Sequence, residues 1–238
     1  MSFTENVQLD TSRIESGGGG RGLAGIKVGG GIGGVIVMVV VVLFQVLGNG
    51  GGGSGGTLPI DAAQYDASRV AAGGQVDPAA FSQCRTGADA NRDDVCRIIA
   101  TVNSAERFWA EELPRRGLRF RPAQTVIYDG TTQSACGTAS NQVGPFYCPL
   151  DEKIYIDASF FAELTSRFGA DDGALAKEYV VAHEYGHHIQ NILDILGRAQ
   201  QDPQGPESGA VRIELMADCL GGMWVKNATT TTDAQGVT

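Results

Sequence analysis

The sequence is short of positive charge. It carries 18 lysine and arginine residues against 27 aspartate and glutamate residues, which gives a formal net charge of −9. Residues 1–56 are neutral on balance, so the whole negative charge lies on residues 57–238. Because an acidic domain repels phosphate backbones, we expect no nucleic-acid partner. Apolar residues recur along the chain, which excludes collagen and wholesale disorder.

Glycine is abundant only in the first quarter of the sequence. Of the 34 glycines, 18 lie within residues 1–56, and the rest of the chain has an ordinary density. Residues 1–22 are polar and glycine-rich, which predicts a disordered tail. Residues 48–75 begin with a glycine-rich run and are predicted to be a flexible linker. The polar residues 229–238 are predicted to form a second disordered tail, which leaves residues 76–228 as the folded domain.

Residues 28–47 contain no charge at all. Twenty residues of helix cover about 30 Å, which matches the hydrocarbon core of a bilayer. Arg21 and Lys27 precede this span, and no charge follows it until Asp61. The positive-inside rule therefore predicts a single-pass cell-membrane protein with a cytoplasmic N-terminus and an extracytoplasmic domain. A cleaved signal peptide is the alternative, but the region before the span is unusually long for one.

Only five cysteines are present, and all follow the predicted span: Cys84, Cys96, Cys136, Cys148 and Cys219. The first four form two pairs whose members are twelve residues apart. No closely spaced C-x-x-C pairs occur, which argues against a four-cysteine zinc site. Two local disulfides in an oxidising compartment are the favoured interpretation, with four buried thiols as the alternative. Cys219 lies in an apolar helical pattern and is predicted to be a buried free thiol.

Hydrophobic periodicity predicts an α+β fold that is mainly helical, with a small β element. Pro114 and Gly117 are expected to end the first long helix, and Gly197 is expected to end the second. A loop that carries Cys136 and Cys148 separates the two predicted strands. The predicted helices are 92–113, 158–168, 173–196 and 207–226, and the predicted strands are 125–128 and 153–156.

Histidine is rare in the sequence. The chain holds three, and all lie within six residues of one predicted helix, as His183, His187 and His188. His183 and His187 are four residues apart, so both imidazoles project from one helical face and can share a metal ion. Glu184 is displaced by about 100° from His183, where it can reach a metal-bound water without being a ligand. His188 points away around the helix.

A catalytic zinc ion takes three protein ligands, so the third must be a carboxylate or come from another chain. Asp194 is roughly 16 Å from His183 along the helix axis, which is too far. Glu207 lies at a predicted helix start, where capping explains a carboxylate. Glu214 is mid-helix and is the best candidate. Asp218 follows it at i+4, where it can accept the second ring N–H of a ligand histidine and fix its tautomer.

These residues carry a resemblance to a known family. The sequence resembles the bacterial neutral zinc metallopeptidases in two helical segments, residues 182–191 and 212–219, and in two loop segments, residues 135–139 and 144–149. The likeness covers about residues 92–226 and extends to the N-terminal anchor. It implies a zincin-like fold with one Zn²⁺ per chain, held by His183, His187 and Glu214, with Glu184 as the catalytic base and an order of site residues similar to that of gluzincins.

The resemblance thus implies a membrane-anchored zinc endopeptidase whose partners are a peptide or protein substrate and the membrane. In one respect the sequence departs from the family. Its members continue for several tens of residues past the equivalent of Trp224, whereas this sequence ends at Thr238. The alternative is therefore an exported zinc domain with weak or no activity that binds a cell-envelope partner. The pattern predicts no particular oligomeric state.

Overall fold

A computed structural model gives the fold of a large part of the chain. No helix within the described ranges is long and apolar enough to cross a membrane. The predicted span 28–47, the linker 48–75 and the tail 229–238 lie outside the described residues. The structure describes residues 1–18, 76–140, 144–162, 173–199, 202 and 205–228.

A four-stranded sheet lies at the centre of the β part, and a separate hairpin lies beside it. In the sheet the order is β1-β2-β6-β5, with β1, β2 and β6 parallel and β5 antiparallel at one edge. The two strands predicted from the sequence are confirmed as β2 and β6, so the β part is larger than expected. The strands are β1 (Ile14–Ser16), β2 (Gln124–Tyr128), β3 (Thr131–Ser134), β4 (Gly137–Ser140), β5 (Phe146–Cys148) and β6 (Lys153–Asp157).

Three long helices lie close to their predicted positions, although the second ends at Ile192 and Gly197 lies inside a separate short helix. The first begins where the Asp93 carboxylate accepts the backbone N–H of Cys96, and it continues through Pro114 to Arg115, two residues before Gly117, whose φ is 75°. Of the predicted helix 158–168, residues 160–162 are helical, and the part from residue 163 lies outside the described residues. The helices are α1 (Pro78–Phe81), α2 (Gly87–Ala90), α3 (Asp94–Arg115), α4 (Ala174–Ile192), α5 (Leu196–Ala199) and α6 (Gly209–Ala228).

Helix α4 is the central element of the fold. It packs against α3, α6, β5 and β6, and its residues from Val180 to Gln190 are all buried. A helix that is enclosed on every side needs partners for its polar side chains, because an unpaired buried polar group is costly. The polar residues of α4 are therefore expected to interact with one another and with neighbouring elements.

The prediction of a disordered tail over residues 1–22 is wrong for residues 1–18. Phe3 and Val7 are buried in the main core, and β1 forms an edge of the sheet. This segment has no hydrophobic periodicity of its own, so composition alone predicted disorder. It is ordered because the surfaces of β2 and α3 supply partners for its backbone and its few apolar side chains.

Both predicted disulfides are present, as Cys84–Cys96 and Cys136–Cys148. The prediction for Cys219 is wrong, because its free thiol is exposed. Helix α6 buries Glu214, Ala217, Leu220 and other residues of one face, and Cys219 falls on the opposite face. The apolar composition of α6 therefore predicts a larger buried surface than the helix has.

Candidate metal centre

Two histidines of α4 face each other within the core. His183 and His187 are one helical turn apart, and their Nε2 atoms are separated by 3.1 Å. Both side chains are almost fully buried, at 3% and 2% exposure. The i, i+4 spacing places the two imidazoles on the same side of α4, as the sequence predicted.

The carboxylate of Glu214 on α6 completes a triangle with these two nitrogens. Its Oε2 atom lies 3.3 Å from His183 Nε2 and 3.5 Å from His187 Nε2. Ligand atoms around a tetrahedral zinc ion are about 3.3 Å apart when each bond is about 2.0–2.1 Å long. The three edges of the triangle therefore fit the spacing of three zinc ligands that leave the fourth position open.

The Nδ1 atom of each histidine is contacted by a different side chain. Asp218 Oδ1 lies 2.9 Å from His183 Nδ1 and is contacted in turn by the hydroxyl of Tyr179. Gln190 Oε1 lies 2.8 Å from His187 Nδ1, and its Nε2 donates to the backbone carbonyl of Ile213 at 2.6 Å. The sequence predicted the position of Asp218 but not the contact of Gln190. The signal for Gln190 is its place three positions after His187, on nearly the same face of the helix.

These contacts fix where the ring protons lie. Asp218 can only accept, and the amide of Gln190 is oriented by its donation to Ile213, so the Nδ1 atoms of both histidines donate. The Nε2 lone pairs of His183 and His187 then face each other and the carboxylate of Glu214. Such an arrangement of electron pairs in a buried position is favourable only with a positive charge among them.

The electrostatics of the site agree with this conclusion. Burial by itself lowers the pKa of His183, but Asp218 and Glu214 outweigh it and raise that pKa to about 10. Burial by itself raises the pKa of Glu214, but its contacts with His183 and His187 outweigh burial and lower that pKa to about 2. The cluster is thus a strongly attractive position for a cation.

Glu184 lies beside the triangle and is also enclosed. Its carboxylate is buried, which raises its pKa, and it accepts the backbone N–H of Tyr147 on β5. Among the described residues, its Oε2 atom has no hydrogen-bond partner. An enclosed carboxylate with a raised pKa and one oxygen left over has the properties of a group that exchanges protons.

His188 has a structural position, as its place on the helix predicted. Its Nε2 donates to the carbonyl of Arg121 at 2.7 Å, and its Nδ1 lies 3.1 Å from the hydroxyl of Tyr147. Asn191 donates to the same hydroxyl at 3.0 Å. Burial lowers the pKa of His188, so a neutral ring links α4 to β5 and to the loop before β2.

The other carboxylates considered from the sequence are not part of this cluster. Glu207 is exposed in the turn that precedes α6, and Asp194 is exposed just after the end of α4, with a φ of 57°. A second group of metal-ligand residue types comprises Cys84, Asp93 and Cys96. The two sulfurs of that group are joined in a disulfide, so they do not provide thiolate ligands.

Comparison with known proteins gives one family and several relatives. The chain is 50% identical over 150 residues to uncharacterized protein Rv2575 of Mycobacterium tuberculosis. The aligned region covers 63% of this chain and 50% of the relative. It is 34% identical over 153 residues to uncharacterized protein YpfJ of Escherichia coli K12, with 62% and 53% covered. The chain thus spans about half the length of the curated relatives it matches. No solved structure matches it.

The family match covers nearly the whole chain. Residues 3–236 match the family described as "Putative neutral zinc metallopeptidase". The match includes the first strand of the sheet as well as the histidine cluster, so it extends further than the resemblance recognised over residues 92–226. The chain belongs to this family of neutral zinc metallopeptidases.

Proposed function

We propose that this protein is a zinc-dependent endopeptidase whose metal ligands are His183, His187 and Glu214. The observation that carries the proposal is the triangle of two Nε2 atoms and one Oε2 atom with edges of 3.1–3.5 Å. Asp218 and Gln190 orient the two histidines so that their lone pairs point to the common centre. Zinc bound there would supply a Lewis acid that lowers the pKa of water and polarises a peptide carbonyl.

Glu184 is the proposed general base. In its ionised form it accepts a proton from the attacking water at Oε2, the oxygen without a partner among the described residues. The same oxygen then returns the proton to the nitrogen of the leaving amine. The N–H of Tyr147 fixes the orientation of the carboxylate, and the raised pKa makes the group a better proton acceptor than an exposed glutamate.

The test is a comparison of the full chain with Glu184→Gln. Both proteins are expected to hold one zinc per chain, because Glu184 lies beside the ligand atoms and is not one of them. Cleavage of dye-labelled casein is expected to fall by about 10²–10⁴-fold in the variant, since only the proton acceptor is lost. Zinc content by atomic emission and initial cleavage rates are the two measurements.

Glu111→Gln is the matched control, because Glu111 is an exposed glutamate of α3 whose contact is a surface ion pair with Arg115. It should cleave casein like the wild type. Equal cleavage by the wild type and Glu184→Gln would contradict the role of Glu184. Full zinc content without cleavage by any of the three proteins would favour the zinc-binding domain without peptidase activity.

A further inference from the structure

We propose that residues 1–18 are a permanent part of the zinc-site domain and lie in the same compartment. A single membrane crossing between residues 18 and 76 would place these two parts on opposite sides. The proposal therefore replaces the orientation predicted from Arg21 and Lys27, in which only the domain is exported. It does not depend on the metal or on peptidase activity.

The first support is the backbone pairing of β1. The N–H of Thr125 donates to the carbonyl of Arg13 at 2.9 Å, and the N–H of Gly17 donates to the carbonyl of Ile127 at 2.9 Å. Strand β1 covers one edge of β2, which would otherwise present unpaired backbone groups. The segment thus completes the sheet.

Two asparagines, Asn91 just after α2 and Asn103 within α3, bind the backbone of the segment. The side chain of Asn91 accepts the N–H of Phe3 and donates to its carbonyl, both at 2.8 Å. Asn103 repeats this arrangement with Asp10, at 2.8 and 2.9 Å. Each side-chain amide thus satisfies both backbone groups of one residue of the segment.

At two glycines, the N-terminal segment and the rest of the domain approach more closely than a side chain would allow. A Cβ atom at Gly87 of α2 would collide with the carbonyl oxygen of Thr4. A Cβ atom at Gly17 would lie 2.7 Å from a methyl carbon of Val126. Glycine therefore stands on each side of the contact where the segment and the rest of the domain approach most closely.

The points where the chain leaves and re-enters the domain are adjacent. The hydroxyl of Ser16 donates to the carbonyl of Val76. Residues 19–75 thus connect two neighbouring positions on one surface. The disulfides Cys84–Cys96 and Cys136–Cys148 indicate an oxidising compartment for the domain. The same compartment follows for residues 1–18.

Cysteine labelling in intact cells that express the full chain tests this proposal. Cys219 is an exposed free thiol of the domain, so the wild-type chain reports the side on which the domain lies. Asn6→Cys, made with Cys219→Ser, reports the side of the N-terminal segment, because Asn6 is exposed. A membrane-impermeant maleimide is expected to label both thiols in intact cells, or neither until the cells are lysed.

Docking is tested separately with Val7→Cys in the same Cys219→Ser chain. Val7 is 4% exposed, so its cysteine should react at least ten times more slowly than that of Asn6→Cys until the protein is denatured. Adding Gly87→Ala should accelerate labelling at position 7, whereas Gly197→Ala, where a Cβ meets nothing within 4 Å, should not. Labelling of positions 6 and 219 from opposite sides, or equal rates at positions 6 and 7, would overturn the proposal.

Discussion

The two histidines of the candidate site are supported by side chains of different charge. His183 donates to the carboxylate of Asp218, whereas His187 donates to the neutral amide of Gln190. A carboxylate partner increases the basicity of an imidazole more than an amide does. The carboxylate of Asp218 therefore increases the basicity of His183, and both histidines are held in the same tautomer.

Substitutions at these positions should separate ligands from supports. Glu214→Ala removes one corner of the triangle and is expected to abolish tight zinc binding. Asp218→Ala and Gln190→Ala leave the three ligand atoms in place and should each weaken zinc affinity by about 10–100-fold. Competition with a chelator of known affinity gives all three values. Tight zinc binding by Glu214→Ala, with loss of zinc from Asp218→Ala, would reverse the assigned roles.

At the scale of elements, the site depends on how closely α4 and α6 approach. Gly186 lies between the two ligand histidines, and a Cβ there would be 2.9 Å from the carbonyl oxygen of Ala217. Ala217 is three residues after Glu214, so the spacing of the helices sets the distance between that carboxylate and the histidines. Glycine at position 186 is thus required by the contact rather than by backbone conformation.

Gly186→Ala should therefore be damaging although alanine is the better helix former. The added methyl group meets backbone atoms of α6, so the helices must separate, and we expect a loss of about 1–3 kcal/mol in the free energy of unfolding. Zinc affinity should fall as well. Gly222→Ala is the control, because a Cβ there meets nothing within 4 Å, and it should be neutral or stabilise by up to about 1 kcal/mol. Urea denaturation of both variants measures the difference, and equal stability would contradict the close contact.

The whole molecule is stabilised by contacts between parts that are distant in sequence. Phe3 and Val7 lie in the same core cluster as Trp109 of α3 and Trp224 of α6. The Nε1 atom of Trp224 donates to Ser104 on α3 at 3.0 Å, which joins the last helix to the first long one. The N-terminal segment, the sheet and the three long helices therefore share one core.

Truncating a core side chain of the N-terminal segment should destabilise the whole protein. Phe3→Ala is expected to lower the free energy of unfolding by about 3–5 kcal/mol, because a buried aromatic ring is lost and a cavity remains. Asn6→Ala, at an exposed position, should change it by less than about 0.5 kcal/mol. Urea denaturation followed by tryptophan fluorescence measures both. A stability change near zero for Phe3→Ala would show that the segment is not part of the core.

Local patterns in the sequence predicted the positions of the long helices, of β2 and β6, and of both cysteine pairs. They also singled out His183, His187, Glu214 and Asp218, because one-turn spacing within a helix places side chains on a common face. Such predictions succeed where the pattern that carries them lies within one segment of the chain. Their failures were at positions whose environment is set by distant parts of the chain.

The sequence by itself determined which residues could bind a metal and which helices carry them. Only the tertiary structure decided that Glu214 meets the histidines across the contact of α4 and α6, and that Gln190 supports one of them. It also decided that residues 1–18 belong to the core and that Cys219 is exposed. The physical reason is the same in each case: burial and pairing depend on what a residue meets across the fold, and a short stretch of sequence does not contain that information.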